Sequence, residues 1–249
     1  MQWQTFVIKR FAFKYIYLMK KNIFKLFIIN KKTILIILAI AFFCSTLCFV
    51  PNIIAMGSPK AKYTVVIDAG HGGIDGGSVG ISTGVSEAEL NLDYALTLRE
   101  YMQDFGFNVV MTRTTSGGLY SPFASNKKKD DMKKRKDIID NANADFVVSI
   151  HMNSFSGKAN GAQVFYGKDD EPSKNLASNI QKYFLKYLQD ARKEIKVGDY
   201  YVLNAVTCPS VLVECGYLSN ATEEALLLTE DYKKEVCYSI LLGVIEYFN

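Results

Sequence analysis

No acidic residue occurs among the first 32 positions, and no charged residue of either sign lies between Lys32 and Lys60. The first absence leaves eight basic side chains unopposed, namely Lys9, Arg10, Lys14, Lys20, Lys21, Lys25, Lys31 and Lys32. Removing those eight from the 29 bases of the whole chain leaves 21 against 25 acids, a net charge of −4 beyond residue 32. The overall charge of +4 therefore misstates the folded part, which is mildly acidic and lacks the basic footprint of a nucleic-acid binder. The second absence marks "TILIILAIAFFCSTLCFVPNIIAMGS" as a membrane segment. As a helix, Ile34 to Val50 would span about 26 Å, close to the roughly 30 Å hydrocarbon core. The bases before it place its amino end in the cytoplasm and send residues 60 onward across the membrane. A buried core helix is the competing reading, but every other element of a domain follows residue 62. A retained anchor is favoured over a cleaved signal, since the small-residue site after Ala55 is poor and no lipid-attachment pattern surrounds Cys44 or Cys48. Met19 would make a more ordinary start for such a segment.

Five cysteines make no disulfide framework. Two fall in the apolar segment, and Cys208 and Cys215 lie at opposite ends of one expected strand, kept apart by a rise of about 3.3 Å per residue. They read as small buried apolar residues. Internal repeats and a second domain are likewise missing. The organisation expected is a basic cytoplasmic stretch over 1–32, an anchor or signal over 33–55, a linker over 56–62, and one catalytic domain over 63–249.

Within that domain strands and helices alternate. "YTVVID" is a strand, and "SEAELNLDYALTLREYMQDFG" a helix with a capping box from Ser86 to Glu89 and Gly106 at its end. "FNVVMT" is a strand, "MKKRKDIIDNANA" a helix, and "DFVVSI" and "GAQVFYG" are strands. "SKNLASNIQKYFLKYLQD" is a helix, "SVLVEC" the last strand and "DYKKEVCYSILLGVIEYF" the closing helix. Such alternation predicts an α/β domain with a twisted, mostly parallel sheet flanked by helices on both faces.

Histidine is scarcer still, with two in 249 residues. His71 lies three residues beyond "YTVVID", and His151 directly follows "DFVVSI". Ligands gather outside the carboxyl ends of parallel strands, so both rings can face one crevice, although a single histidine there would be an ordinary loop residue. Carboxylates occupy matching places. Glu87 opens the helix after the glycine-rich loop, where it could equally complement the helix dipole, and Glu214 closes an apolar strand, where it needs a partner or an ion pair. Two histidines, one carboxylate and one open position suit catalytic zinc.

The motifs "VVIDAGHGGIDGG", "GVSEAELNLDYA", "VVMTR", "ADFVVSIHMNS" and "SVLVECGYLSN", in that order, resemble the zinc-dependent N-acetylmuramoyl-L-alanine amidases of bacterial cell walls. The resemblance covers about residues 63–248. It implies zinc held by His71, Glu87 and His151, with Glu214 as the catalytic carboxylate, and hydrolysis of the amide between the lactyl group of muramic acid and L-alanine of the peptidoglycan stem. Asn153 would orient substrate or brace the loop. A short chain with an anchor and no wall-binding repeats is similar to the spore-cortex, germination-specific enzymes of muramic-lactam formation. That layout places the domain outside the cytoplasmic membrane or at the forespore membrane facing the cortex, or in the medium if the segment is cleaved. A partner protein is left open. The run "NKKKDDMKKRK" could attract an anionic polymer or form a solvated loop and helix face. A vegetative wall-remodelling amidase, a silent glycan-binding or regulatory module and a zinc peptidase remain as rivals.

Overall fold

The computed structural model describes residues 62–155 and 159–249, together with Ile34, Ile36 and Leu38. Among the described residues no helix is long and apolar enough to cross a membrane. The basic stretch 1–32, the linker up to residue 61 and Cys44 and Cys48 lie outside them, as does the expected span apart from the three named residues, which are helical and exposed. Every element named below belongs to the unit from Lys60 to Asn249.

That unit begins with β1 (Thr64–Ala69), followed by α1 (Glu87–Phe105), β2 (Asn108–Met111), α2 (Lys127–Asn141) and β3 (Phe146–Asn153). Then come β4 (Gln163–Tyr166), α3 (Glu171–Tyr187), the two-residue β5 (Lys196–Val197), α4 (Tyr201–Asn204), β6 (Ser210–Tyr217), α5 (Ala221–Leu227) and α6 (Glu230–Tyr247). The strands form one sheet in the order β2-β1-β3-β6-β4-β5. β1, β3 and β6 lie side by side and parallel, so their carboxyl ends emerge on one edge. These central strands are apolar at nearly every position because both faces are covered. One face packs Val65, Ile67, Val148 and Val213 against Leu98, Leu176 and Ile240 of α1, α3 and α6. On the other, Val66, Val147 and Leu212 meet Ile139 of α2 and Val202 of α4.

The helix ends follow from local chemistry. The Ser86 hydroxyl accepts the Glu89 N–H at 3.3 Å, and Gly106 ends α1 in the left-handed conformation at φ 101°. Cys208, Cys215 and Cys237 are free thiols; the last two are buried and Cys208 is half-buried.

The sheet is mostly parallel, as expected, with β4 against β6 its one antiparallel pairing. Two expectations change. The "SIH" segment does not stop at Ile150: β3 continues through His151 to Asn153, with a register irregularity between those two residues. α2 begins at Lys127, five residues before "MKKRK", because Asn126 caps it by accepting the Lys129 N–H at 2.9 Å. The short β5, α4 and α5 carry too few residues for a periodic signal.

α3 and α6 cross at Gly243, where an added Cβ would lie 2.5 Å from the Ile180 Cα. Gly243→Val should therefore destabilise the domain by about 1–3 kcal/mol through overpacking. Thermal denaturation would read it, and an unchanged midpoint would show that the two helices separate freely.

Candidate active site

The chain leaves β1 through Gly70 into a left-handed turn in which His71, a residue with a Cβ, has φ 59°. Such a conformation costs a non-glycine residue roughly 1–2 kcal/mol. Two buried arginines hold it. Arg113 donates to the carbonyls of Ala69 (2.9 Å) and Gly70 (2.8 Å), and Arg135 to those of Ala69 (2.7 Å) and His71 (2.5 Å). Arg135 is fixed in turn by Asp68 at 2.6 Å and by Asp131, one helical turn before it, at 2.7 Å. Asp68 also accepts from Thr112 (2.8 Å) and Ser149 (2.6 Å). Burial alone would raise its carboxyl, but Arg135 and these hydroxyls hold it at about 2.

The turn presents His71 to Glu87 and His151. Glu87 Oε1 is 3.2 Å from His71 Nε2 and 2.9 Å from His151 Nδ1, and one donor atom from each of the three lies within 4.8 Å of the others. The rings stand 5.0 Å apart and nearly perpendicular. Glu87 Oε2 accepts the Ser78 N–H at 2.8 Å, which leaves Oε1 toward the imidazoles. Asp75 contacts the other nitrogen of His71, Nδ1, at 3.0 Å and so fixes which nitrogen faces Glu87. Burial disfavours charge on both His71 and Glu87. Glu87 and Asp75 nevertheless hold the His71 ring above its ordinary pKa, and the two imidazoles hold the Glu87 carboxyl well below its own. Gly70 is a space requirement, since a Cβ there would come within 2.3 Å of the His151 ring.

Glu214 is next to His151 in the register of β3 and β6. It is 6% exposed, and its Oε2 has no hydrogen-bond partner. Burial pushes its carboxyl up to about 7, with Glu87 adding to the rise and His151 opposing it. His71, Glu87, His151 and Glu214 share a cavity of about 800 Å³ with Asn153 and Tyr200. The Asn153 carbonyl accepts the Leu218 N–H at 2.9 Å, a loop-bracing contact. Tyr200, whose hydroxyl burial and Glu214 raise to about 12, packs edge-on to Phe165.

The donor set fits a zinc ion: two imidazoles and a carboxylate converge, and an unpartnered buried carboxylate oxygen stands beside them. Asp75, Arg113, Arg135 and Tyr200 escaped the sequence reading. Asp75, four residues after His71 within "GHGGID", had a usable signal, and so had the i, i+4 pair Asp131–Arg135 placed four residues before buried Ile139.

Fold and site together define a hydrolase of the α/β class with a group of side chains able to hold a metal ion. The N-acetylmuramoyl-L-alanine amidase family model matches residues 65–246, and the chain belongs to that family as a peptidoglycan amidase. It is 34% identical over 195 residues to the germination-specific N-acetylmuramoyl-L-alanine amidase of Bacillus subtilis, covering 76% of this chain and 81% of that one. Among solved structures it resembles the CwlD amidase of Clostridioides difficile in complex with the GerS lipoprotein (TM-score 0.72, 38% identity, 75% of this chain and 98% of that one). The catalytic domain of CwlV from Bacillus (Paenibacillus) polymyxa is also similar (TM-score 0.66, 36% identity, 75% and 98%).

The Asp68 carboxyl titrates at about 2 when folded against an ordinary 3.8. Because the folded value is the lower, its contribution of about 2 kcal/mol is complete above about pH 5 and is lost as the pH falls toward 2. Urea midpoints taken across that range should fall with acid, and Asp68→Asn should flatten the fall. An equal acid slope in the variant would assign the loss to other carboxylates.

Proposed function

We propose that the chain hydrolyses the amide between the lactyl group of N-acetylmuramic acid and L-alanine of the stem peptide, with His71, Glu87 and His151 holding zinc and Glu214 moving the proton. The observation that carries this is a buried, unpartnered Glu214 carboxylate beside a converging His–Glu–His group. Zinc, when bound, supplies a Lewis acid for the amide carbonyl and acidifies the attacking water. Glu214, poised at about 7, takes the proton from that water and returns it to the leaving L-alanyl nitrogen. Asp75 keeps His71 Nε2 turned toward Glu87, where His71 would help hold the ion, and the backbone clamp of Arg113 and Arg135 keeps the ring in place. Tyr200 lines the same cavity near Glu214.

A role in spore-cortex maturation belongs to this proposal and is supported by likeness to the germination-specific relative. So does a protein partner, supported by the relative solved with a lipoprotein. Residues 33–55 are proposed to anchor the domain to the outer face of the membrane, supported by the uncharged stretch between Lys32 and Lys60.

Digestion of defined peptidoglycan should release a new amino terminus on L-alanine, and a cut within the stem would instead identify a peptidase. Glu214→Gln should lower turnover about 10²- to 10⁴-fold with zinc still bound, the usual scale for a general base. His71→Ala and His151→Ala should lose the metal in a chelator competition. If Glu87→Gln keeps zinc while Glu214→Gln loses it, the two carboxylates have exchanged roles.

A tether raises the effective concentration of enzyme at the membrane face, so modest affinity for substrate suffices. The domain without residues 1–59 should cleave small muropeptides as fast as the full chain, yet fail in cells when exported unanchored at matched abundance. Fusion to an unrelated membrane helix should restore function. Full complementation by the unanchored domain would reduce the segment to an export signal.

A further inference from the structure

The lysine run of residues 126–136 is not part of the hydrolytic group, yet the fold sets it beside that group. It forms the first ten residues of α2, with Asn126 as the cap. Against this half of the helix lies a second hollow of about 790 Å³, lined by Ser125, Asn126, Lys129 and Lys133 among others. Lys128, Met132 and Tyr201 line both this hollow and the catalytic cavity, so the two adjoin along one groove. Its charge is positive. Its lining includes Lys128, Lys129 and Lys133 and one acid, Asp130, which is engaged by the Ser121 N–H at 2.6 Å and by Lys134 at 3.2 Å. Lys133 pairs with Asp137 at 2.7 Å, an exposed pair that a ligand carboxylate can exchange, and Lys129 makes no ion pair among the described residues. The partial positive charge of the α2 amino end adds to the field.

The amide that this enzyme class opens has two unlike arms. One is a glycan of uncharged N-acetyl sugars, and the other a peptide that continues past L-alanine with free carboxylates. With the scissile nitrogen at Glu214, a groove leading to a lysine-lined hollow matches the acidic arm. We propose that the hollow over the amino half of α2 is the subsite for the stem peptide beyond L-alanine, where Lys129 and Lys133 receive its carboxylates and Met132 and Tyr201 form the apolar floor. This rests on the amidase reading. Lys128 is a different case, since its ammonium lies 3.6 Å from Asp75, which braces His71. Because it touches a residue that braces His71, it is unsuitable for a clean test.

The test uses two synthetic stem peptides with a free L-alanine amino end, identical except that the carboxylate of the second residue is free in one and amidated in the other. Calorimetric binding to the full-length chain needs no turnover. The free carboxylate should bind about fivefold tighter, the scale of two partly exposed ion pairs. The preference should shrink as salt is raised. Lys129→Gln combined with Lys133→Gln should bring the ratio to within about twofold, whereas Lys174→Gln on α3 should leave it unchanged. Equal affinity of the unaltered chain for both peptides would overturn the proposal, as would a full preference in the double variant. So would a double variant that binds both peptides normally but loses retention on walls bearing an anionic polymer, which would give the lysines to that polymer. Failure of the amidase reading would register separately, as absent hydrolysis of the intact muropeptide with the binding preference still present.

Discussion

The site depends on a backbone that must bend the wrong way for a side chain. His71 sits in the left-handed region, where only a surrounding that over-determines the turn keeps a residue with a Cβ. That surrounding is a pair of arginines whose donors engage three successive carbonyls, those of Ala69, Gly70 and His71. Two buried guanidinium groups in one place would be costly alone. Asp68 near the end of β1 and Asp131 on α2 supply the opposite charge, and Thr112, just past β2, and Ser149 of β3 complete the Asp68 shell. The clamp therefore ties β1, β2, β3 and α2 to the loop that presents the imidazole. Arg135 and Asp131 lie on α2, the helix that also borders the lysine-lined hollow.

Parallel strands supply the rest of the geometry. Because β1, β3 and β6 run the same way, His71, His151 and Glu214 reach one edge of the sheet from three chain segments far apart in sequence. Glu87 comes from a different source, the first residue of α1. An acid there is favoured by the helix dipole whatever its function, so the position serves folding and the site together. Its Oε1 lies between both imidazoles because the Ser78 N–H takes the other oxygen.

Much of this was legible because it is carried by short, apolar strands that end in polar residues. "YTVVID", "DFVVSI" and "SVLVEC" announce buried strands, and the histidines and glutamate at their ends could be placed on one edge before any contact was known. What escaped depends on partners distant in sequence. Arg135 lies in a run in which most side chains are charged; its spacing to Asp131 and Ile139 hints at burial, but its ion pair with Asp68, 67 residues away, is invisible in that run. Asp75 could have been found from its spacing to His71, whereas Tyr200 precedes a helix of four residues with no periodic pattern. The orientation of β4 was also hidden, because an apolar strand reads alike in either direction.

That antiparallel strand bears on the chemistry. β4 lies against β6 on the side away from β3, which sets Gln163 opposite Glu214 in register just as His151 is on the other side. The Gln163 amide nitrogen donates elsewhere, to the Glu194 carbonyl at 2.6 Å, so the strand that buries Glu214 gives it no hydrogen bond. The other buried carboxylates are treated differently. Glu224 accepts the Ser82 and Thr83 N–H groups and the Thr83 hydroxyl, Glu223 those of Gly161 and Tyr217, and Asp68 has its three partners. Of six carboxylates in the core of the described residues, Glu214 alone has a buried oxygen without a partner. A fold that satisfies five and leaves one desolvated raises that one toward neutrality, and this is the condition a proton carrier needs near pH 7. Gln163 on one side and His151 on the other thus flank a Glu214 that is buried with one oxygen unpartnered.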